Sequence, residues 1–114
     1  MFARENRLKK RKQFNYIHQN GNATSNDLMT LKSVYTKSTC YKVGFSVSKK
    51  IGNAVTRNKV KRQMKEAFRR LDFEIPNTYY FIITARKPIV NATFNDICIS
   101  IDMLMRNSLK NHKD

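Results

Sequence analysis

Between Lys49 and Arg70 stand nine basic side chains (Lys49, Lys50, Arg57, Lys59, Lys61, Arg62, Lys65, Arg69 and Arg70), with Glu66 the only acid among them. A merely solvated helix face mixes its signs, because like charges at i, i+4 repel by about a few tenths of a kcal/mol each. Lys61, Lys65 and Arg69 form such a repelling ladder, with hardly an acid to relieve it. The chemistry that suits this density of one sign is the gripping of phosphates.

Other chemistries find little support. The eight acids (Glu5, Asp27, Glu66, Asp72, Glu74, Asp96, Asp102 and Asp114) are scattered, and only Asp72 and Glu74 stand near one another. A nuclease working by itself would need clustered carboxylates to hold Mg²⁺. His18 and His112 lack ligand or triad spacing, and Cys40 and Cys98 lie far apart with no CxxC. Two reduced, half-buried thiols are expected. No nucleophile elbow, phosphate-cradling Gly loop or dinucleotide fingerprint is present.

The whole composition repeats the charge argument. With 23 Lys plus Arg against 8 Asp plus Glu, the 114-residue chain carries a net charge of +15 and a pI near 10.2. That self-repulsion calls for a polyanionic partner. Hydrophobic residues at 40% suffice for one folded core, and the length favours a single domain over residues 1–114. No apolar run approaches the roughly 20 residues of a membrane span and no signal-peptide pattern opens the chain, so a cytoplasmic protein without a membrane partner is expected.

The elements that position these residues follow from periodicity. The opening "MFARENRLKKRK" has six basic side chains and one acid, and residues 1–8 are expected to be extended or flexible. From about Lys9, Phe14, Ile17 and His18 share a helical face, ended by the turn cluster "NGNATSND". "LMTLKSVY" reads as a strand with Met29, Leu31 and Tyr35 on one face and Thr30 and Lys32 on the other. "KVGFSVS" alternates Val43, Phe45 and Val47 against Gly44, Ser46 and Ser48, and its small-residue face lets another element approach closely. A further short strand near Thr36 to Tyr41 is an open alternative.

After "KKIGN", Asn53 suits an N-cap, and Val60, Met64, Ala67, Phe68 and Leu71 mark an amphipathic helix. "YYFIITA" suits a strand buried on both faces. Phe94, Ile97, Ile101, Leu104 and Met105 predict a closing helix over Thr93 to Asn111, although "ICISI" also permits a strand. The order α-β-β-(β)-α-β-α describes an α/β (α+β) two-layer sandwich. A strand rather than a helix precedes the basic helix, which disfavours a helix-turn-helix reader of DNA. A rigid basic helix on RNA would read shape and phosphates.

"SVSKKIGNAVTRNKVKR" (Ser46 to Arg62) closely resembles the signature of the protein subunit of bacterial ribonuclease P. "NRLKKRKQF" (Asn6 to Phe14) resembles that family's opening and "YFIITARKP" (Tyr80 to Pro88) its later strand, so the likeness covers most of the chain. The resemblance implies a fold similar to a domain of a small-subunit ribosomal protein, with a left-handed βαβ crossover against the common rule. It implies a monomeric protein in a 1:1 complex with a large catalytic RNA. That holoenzyme removes the 5′ leader of precursor tRNA, with Mg²⁺ bound mainly by the RNA and no catalytic residue in the protein.

Two surfaces carry over from the family. The RNA-subunit surface maps onto Lys49, Lys50, Asn53, Arg57, Asn58, Lys59, Lys61, Arg62, Lys65 and Arg69. The leader cleft maps onto Phe14, His18, Lys32, Arg57, Asn58 and Lys61. Three positions depart from the pattern. His18 stands where a second aromatic is frequent, Lys32 where the strand often presents Tyr, and Lys59 replaces the last arginine of Arg-Asn-Arg. Lysine keeps the charge there and loses the planar fork. The rival reading is a general rRNA-binding or RNA-chaperone protein, which needs the same basic face but not the unbroken motif.

Overall fold

The computed structural model describes residues 4–111, so residues 1–3 and 112–114, His112 and Asp114 among them, lie outside the described residues. Three α-helices and four strands run in the order α1 (Arg11–Asn20), β1 (Asn22–Ser25), β2 (Met29–Tyr35), β3 (Lys42–Ser46), α2 (Ala54–Arg69), β4 (Tyr79–Ala85) and α3 (Phe94–Asn111). Single 3₁₀ turns occupy Arg4–Asn6, Lys49–Ile51 and Lys87–Asn91.

The sheet has the order β1-β2-β4-β3. β2 pairs antiparallel with both β1 and β4, while β3 runs parallel to β4 and is joined to it through α2. Its odd and even positions serve two cores. On one face Met29, Leu31, Val43, Phe45, Phe81 and Ile83 bury against Val60, Met64 and Phe68 of α2 and Ile97, Ile101 and Met105 of α3. On the other, Val34 and Ile82 meet Leu8 and Ile17, with Phe14 and Tyr80 packed at the margin. β4 is thus buried on both faces, as its apolar run requires: Phe81, Ile82 and Ile83 are all enclosed.

Four expectations are corrected or resolved. The cluster "NGNATSND" contains a strand: β1 pairs Asn22 to Ser25 with Ser33 to Thr30 of β2. The alternative strand near Thr36 to Tyr41 does not form. "ICISI" is helical, which buries Ile97 and Ile101 and leaves Ile99 51% exposed. Residues 4–8 are anchored: Asn6 is buried and its Nδ2 donates to the Tyr41 carbonyl (2.8 Å), while the Leu8 N–H donates to the Val43 carbonyl (3.0 Å). Cys40 and Cys98 are free thiols, each partly buried, and burial raises the Cys98 pKa above its ordinary value.

Candidate nucleic-acid interface

The basic region begins in a turn shaped by a glycine. Gly52 has φ 158° and ψ −165°, backbone that essentially only glycine adopts, and a Cβ there would come within 3.1 Å of the Thr56 side chain. Asn53 then caps α2, its Oδ1 accepting the Thr56 N–H at 2.9 Å. Arg57 reaches back, its Nε donating to the Gly52 carbonyl at 3.2 Å. The guanidinium is therefore tethered beside the turn that presents the exposed Lys49 and Lys50.

Along α2, Val60, Met64, Ala67 and Phe68 are buried, and Asn58, Lys59, Lys61 and Arg62 are exposed. The far end of the helix differs. Glu66 accepts from Arg69 Nη1 (2.9 Å) and Arg70 Nε (3.2 Å), and these contacts, Arg70 first, lower the Glu66 pKa from its ordinary 4.5. Arg69 thus has an acid partner, so Glu66 relieves the last rung of the charge ladder.

Lys61 and Lys65 lean toward the other face of the sheet. With Arg7, Phe14 and Gly44 they line a small cavity of about 120 Å³ between the N-terminal segment, β3 and α2. The close approach foreseen for β3 is made by Phe14: a Cβ on Gly44 would lie 2.8 Å from its Cζ. Burial lowers the Lys65 pKa, and the neighbouring Lys61, Arg7 and Arg69 charges lower it further. Three cations, Arg7, Lys61 and Lys65, thus line one cavity with no acid among its lining residues, an arrangement that favours an anion.

Next to this cavity a row of hydroxyls crosses the same face of the sheet. Register aligns Thr30, Thr84 and Ser46 across β2, β4 and β3, all three partly exposed. His18 is exposed on α1, and Lys32 Nζ donates to its main-chain carbonyl at 3.1 Å. Phe14 and Lys61 are therefore brought together, His18 and Lys32 meet each other, and Arg57 and Asn58 stay with the turn and the start of α2. Residue patterns missed Arg7, Thr84 and the wall role of Lys65. Arg7 lies inside the quoted opening segment, whereas Thr84 joins the row only through strand register. Among the described residues, no three His, Cys, Asp or Glu side chains gather to hold a metal ion, and no helix is long and apolar enough to cross a membrane.

A strongly basic α+β domain with a capped cationic helix and a hydroxyl-lined sheet face defines a small RNA-binding protein. Comparison with known proteins narrows the class. Residues 2–108 match the family model described as Ribonuclease P. The ribonuclease P protein component of Clostridioides difficile is 39% identical over 106 residues, covering 92% of this chain and 93% of its relative. That of Bacillus mycoides is 36% identical over 112 residues, covering 96% and 97%. Among solved structures, the Staphylococcus aureus RNase P protein superposes with a TM-score of 0.81 at 32% identity, over 90% of this chain and 94% of that one. The Thermotoga maritima protein gives 0.77 at 27% identity, over 88% and 96%.

The chain belongs to the ribonuclease P protein family. It is accordingly the protein subunit of an endoribonuclease holoenzyme and partners the ribonuclease P RNA. This does not favour the general rRNA-binding or chaperone alternative.

Proposed function

We propose that the groove between α1 and the sheet takes the single-stranded 5′ leader of precursor tRNA, while the turn and outer face of α2 hold the RNA subunit. The observation that carries this reading is the cavity where Phe14 lies over Gly44 between Lys61, Lys65 and Arg7. It supplies the two things an unpaired strand needs, an aromatic surface for a base and cations for adjoining phosphates. Thr30, Thr84 and Ser46 extend the path with hydroxyls that can bond sugar and phosphate oxygens. Lys49, Lys50, Asn53, Arg57, Asn58, Lys59 and Arg62 form the separate surface toward the RNA subunit, reached across the capped turn.

In this assignment the protein positions and the RNA cuts. Mg²⁺ held mainly by the RNA would supply the activation of water and the stabilisation of the leaving oxygen, and no residue of this chain would hold it. The residues of this chain hold the leader in line and neutralise its phosphates, so that binding energy from the leader aligns the scissile bond. One protein monomer per RNA, acting in the cytoplasm, completes the reading.

The test is the affinity of the reconstituted holoenzyme for precursor tRNA with and without its leader. Phe14→Leu should erase most of the leader's contribution, about five- to tenfold, and leave leaderless tRNA unaffected. An equal loss on both substrates would refute the cleft assignment.

A further inference from the structure

Helix α1 has a recess on each flank, the Phe14 cavity on one and a larger one on the other, and only the first is used by the reading above. Phe14 and His18 lie on one flank of α1, Lys12 and Tyr16 on the opposite flank, with the wholly buried Ile17 between them. The larger recess, the Tyr16 groove, has about 460 Å³ and is lined by Lys12, Tyr16, Tyr35, Lys37 and Tyr80, with no acid among its lining residues. That volume falls within the range of about 300–1,000 Å³ typical of sites for small organic groups.

Its aromatic surface is not needed by the core. The Tyr16 ring on α1 is 49% exposed, and Tyr80 adds a partly exposed ring from β4 on the same face of the sheet. Its floor is fixed. The Thr36 N–H donates to the Thr78 carbonyl at 2.7 Å, which holds the end of β2 beside β4, while the Tyr35 ring turns to the opposite face of the sheet against Tyr79. Lys12 and Lys37 provide cations from two different elements, the helix and the β2–β3 loop. Aromatic surface between cations is the arrangement that holds an unpaired nucleotide.

We infer that the Tyr16 groove is a second RNA-binding site, which takes unpaired nucleotides of the RNA subunit. This rests on the reading that the other flank of α1 takes the leader. One strand cannot lie in both grooves without climbing over the helix, so the second groove serves a different strand. The RNA subunit is the other polyanion of the assembly.

The experiment measures binding of the full-length protein to the ribonuclease P RNA alone, and of the holoenzyme to precursor tRNA with and without a leader. Tyr16→Leu, which keeps apolar area and removes the ring, should weaken binding to the RNA alone about tenfold, and Tyr16→Phe should restore it. Lys12→Gln with Lys37→Gln should flatten the slope of log affinity against log salt by about 1.4. The ratio of leader-bearing to leaderless affinity should not move. If Tyr16→Leu binds the RNA normally, or changes only the leader-dependent ratio, the inference is overturned. If only Phe14→Leu fails to alter that ratio, the leader reading falls instead. Circular dichroism of each variant separates these outcomes from misfolding.

Discussion

The ring of Phe14 lies over Gly44 so closely that a single methyl group on the strand would stand 2.8 Å from its Cζ and 2.9 Å from its Cε1. Helix and sheet can meet at this distance only because β3 has no side chain there. The same contact shapes the cavity wall that Lys61 and Lys65 complete. Gly44→Ala should therefore displace Phe14 and destabilise the protein by about 1–3 kcal/mol, the usual cost of overpacking. Urea unfolding measures the stability, and the leader-bearing to leaderless affinity ratio should fall with it.

Lys65 gives a prediction whose sign differs between stability and binding. Its folded pKa lies below the ordinary 10.5, because burial and the charges of Lys61, Arg7 and Arg69 disfavour the ammonium. A base with a depressed folded pKa imposes its penalty fully below that pKa, and the penalty fades as pH rises through it toward 10.5. Lys65→Gln should thus unfold at higher urea than the parent at neutral pH, and the gap should narrow in alkaline solution. The same variant should bind precursor tRNA more weakly. Greater stability with unchanged binding would remove Lys65 from the site.

His18 and Lys32 predict the salt response of leader binding. An exposed imidazole offers a smaller stacking surface than phenylalanine, and Lys32 Nζ lies beside the His18 carbonyl. His18→Phe should raise the leader's contribution by about 1 kcal/mol with no change in salt slope. Lys32→Gln should lower the slope for the leader-bearing substrate by about 0.7, the single-strand value per phosphate contact. Titrations at several KCl concentrations read both numbers.

Asn53 joins the fold to the interface. Its side chain is committed to the Thr56 N–H at 2.9 Å, so Asn53→Ala should cost about 1 kcal/mol of stability. Asn53→Asp should keep the cap and the stability, yet weaken RNA-subunit binding by placing an anion in the cationic turn. Equal RNA binding by the aspartate variant would mean that the turn does not face phosphate.

What could be read in the sequence depended on whether a residue's neighbours along the chain determine its place. Val60, Met64, Ala67 and Phe68 repeat at helical spacing, and all four are buried. In "ICISI" two periods compete. The helix wins because Ile97, Ile101, Leu104 and Met105 all reach the core, while alternation would also have buried the half-exposed Ile99. β1 had no signal of its own: Asn22 to Ser25 is polar and largely exposed, and it becomes a strand through pairing with β2. Asn6 likewise looks like a loop residue until its long-range bond to Tyr41 is seen. The site divides in the same way. The turn and helix from Lys49 to Arg62 form a contiguous motif, whereas Arg7 joins Phe14 at the cavity, and Thr84 joins the groove, only once β3 and β4 are in register.

The most direct measurement is cleavage of a leader-bearing precursor tRNA at low Mg²⁺ by the cognate RNA, by this protein, and by the two together. The account predicts efficient cutting at the mature 5′ end by the combination alone, lost in part when Phe14→Leu protein is used. Cutting by the protein alone would contradict the assignment of catalysis to the RNA. Cutting by the RNA that the protein leaves unchanged would contradict the proposed positioning of the leader.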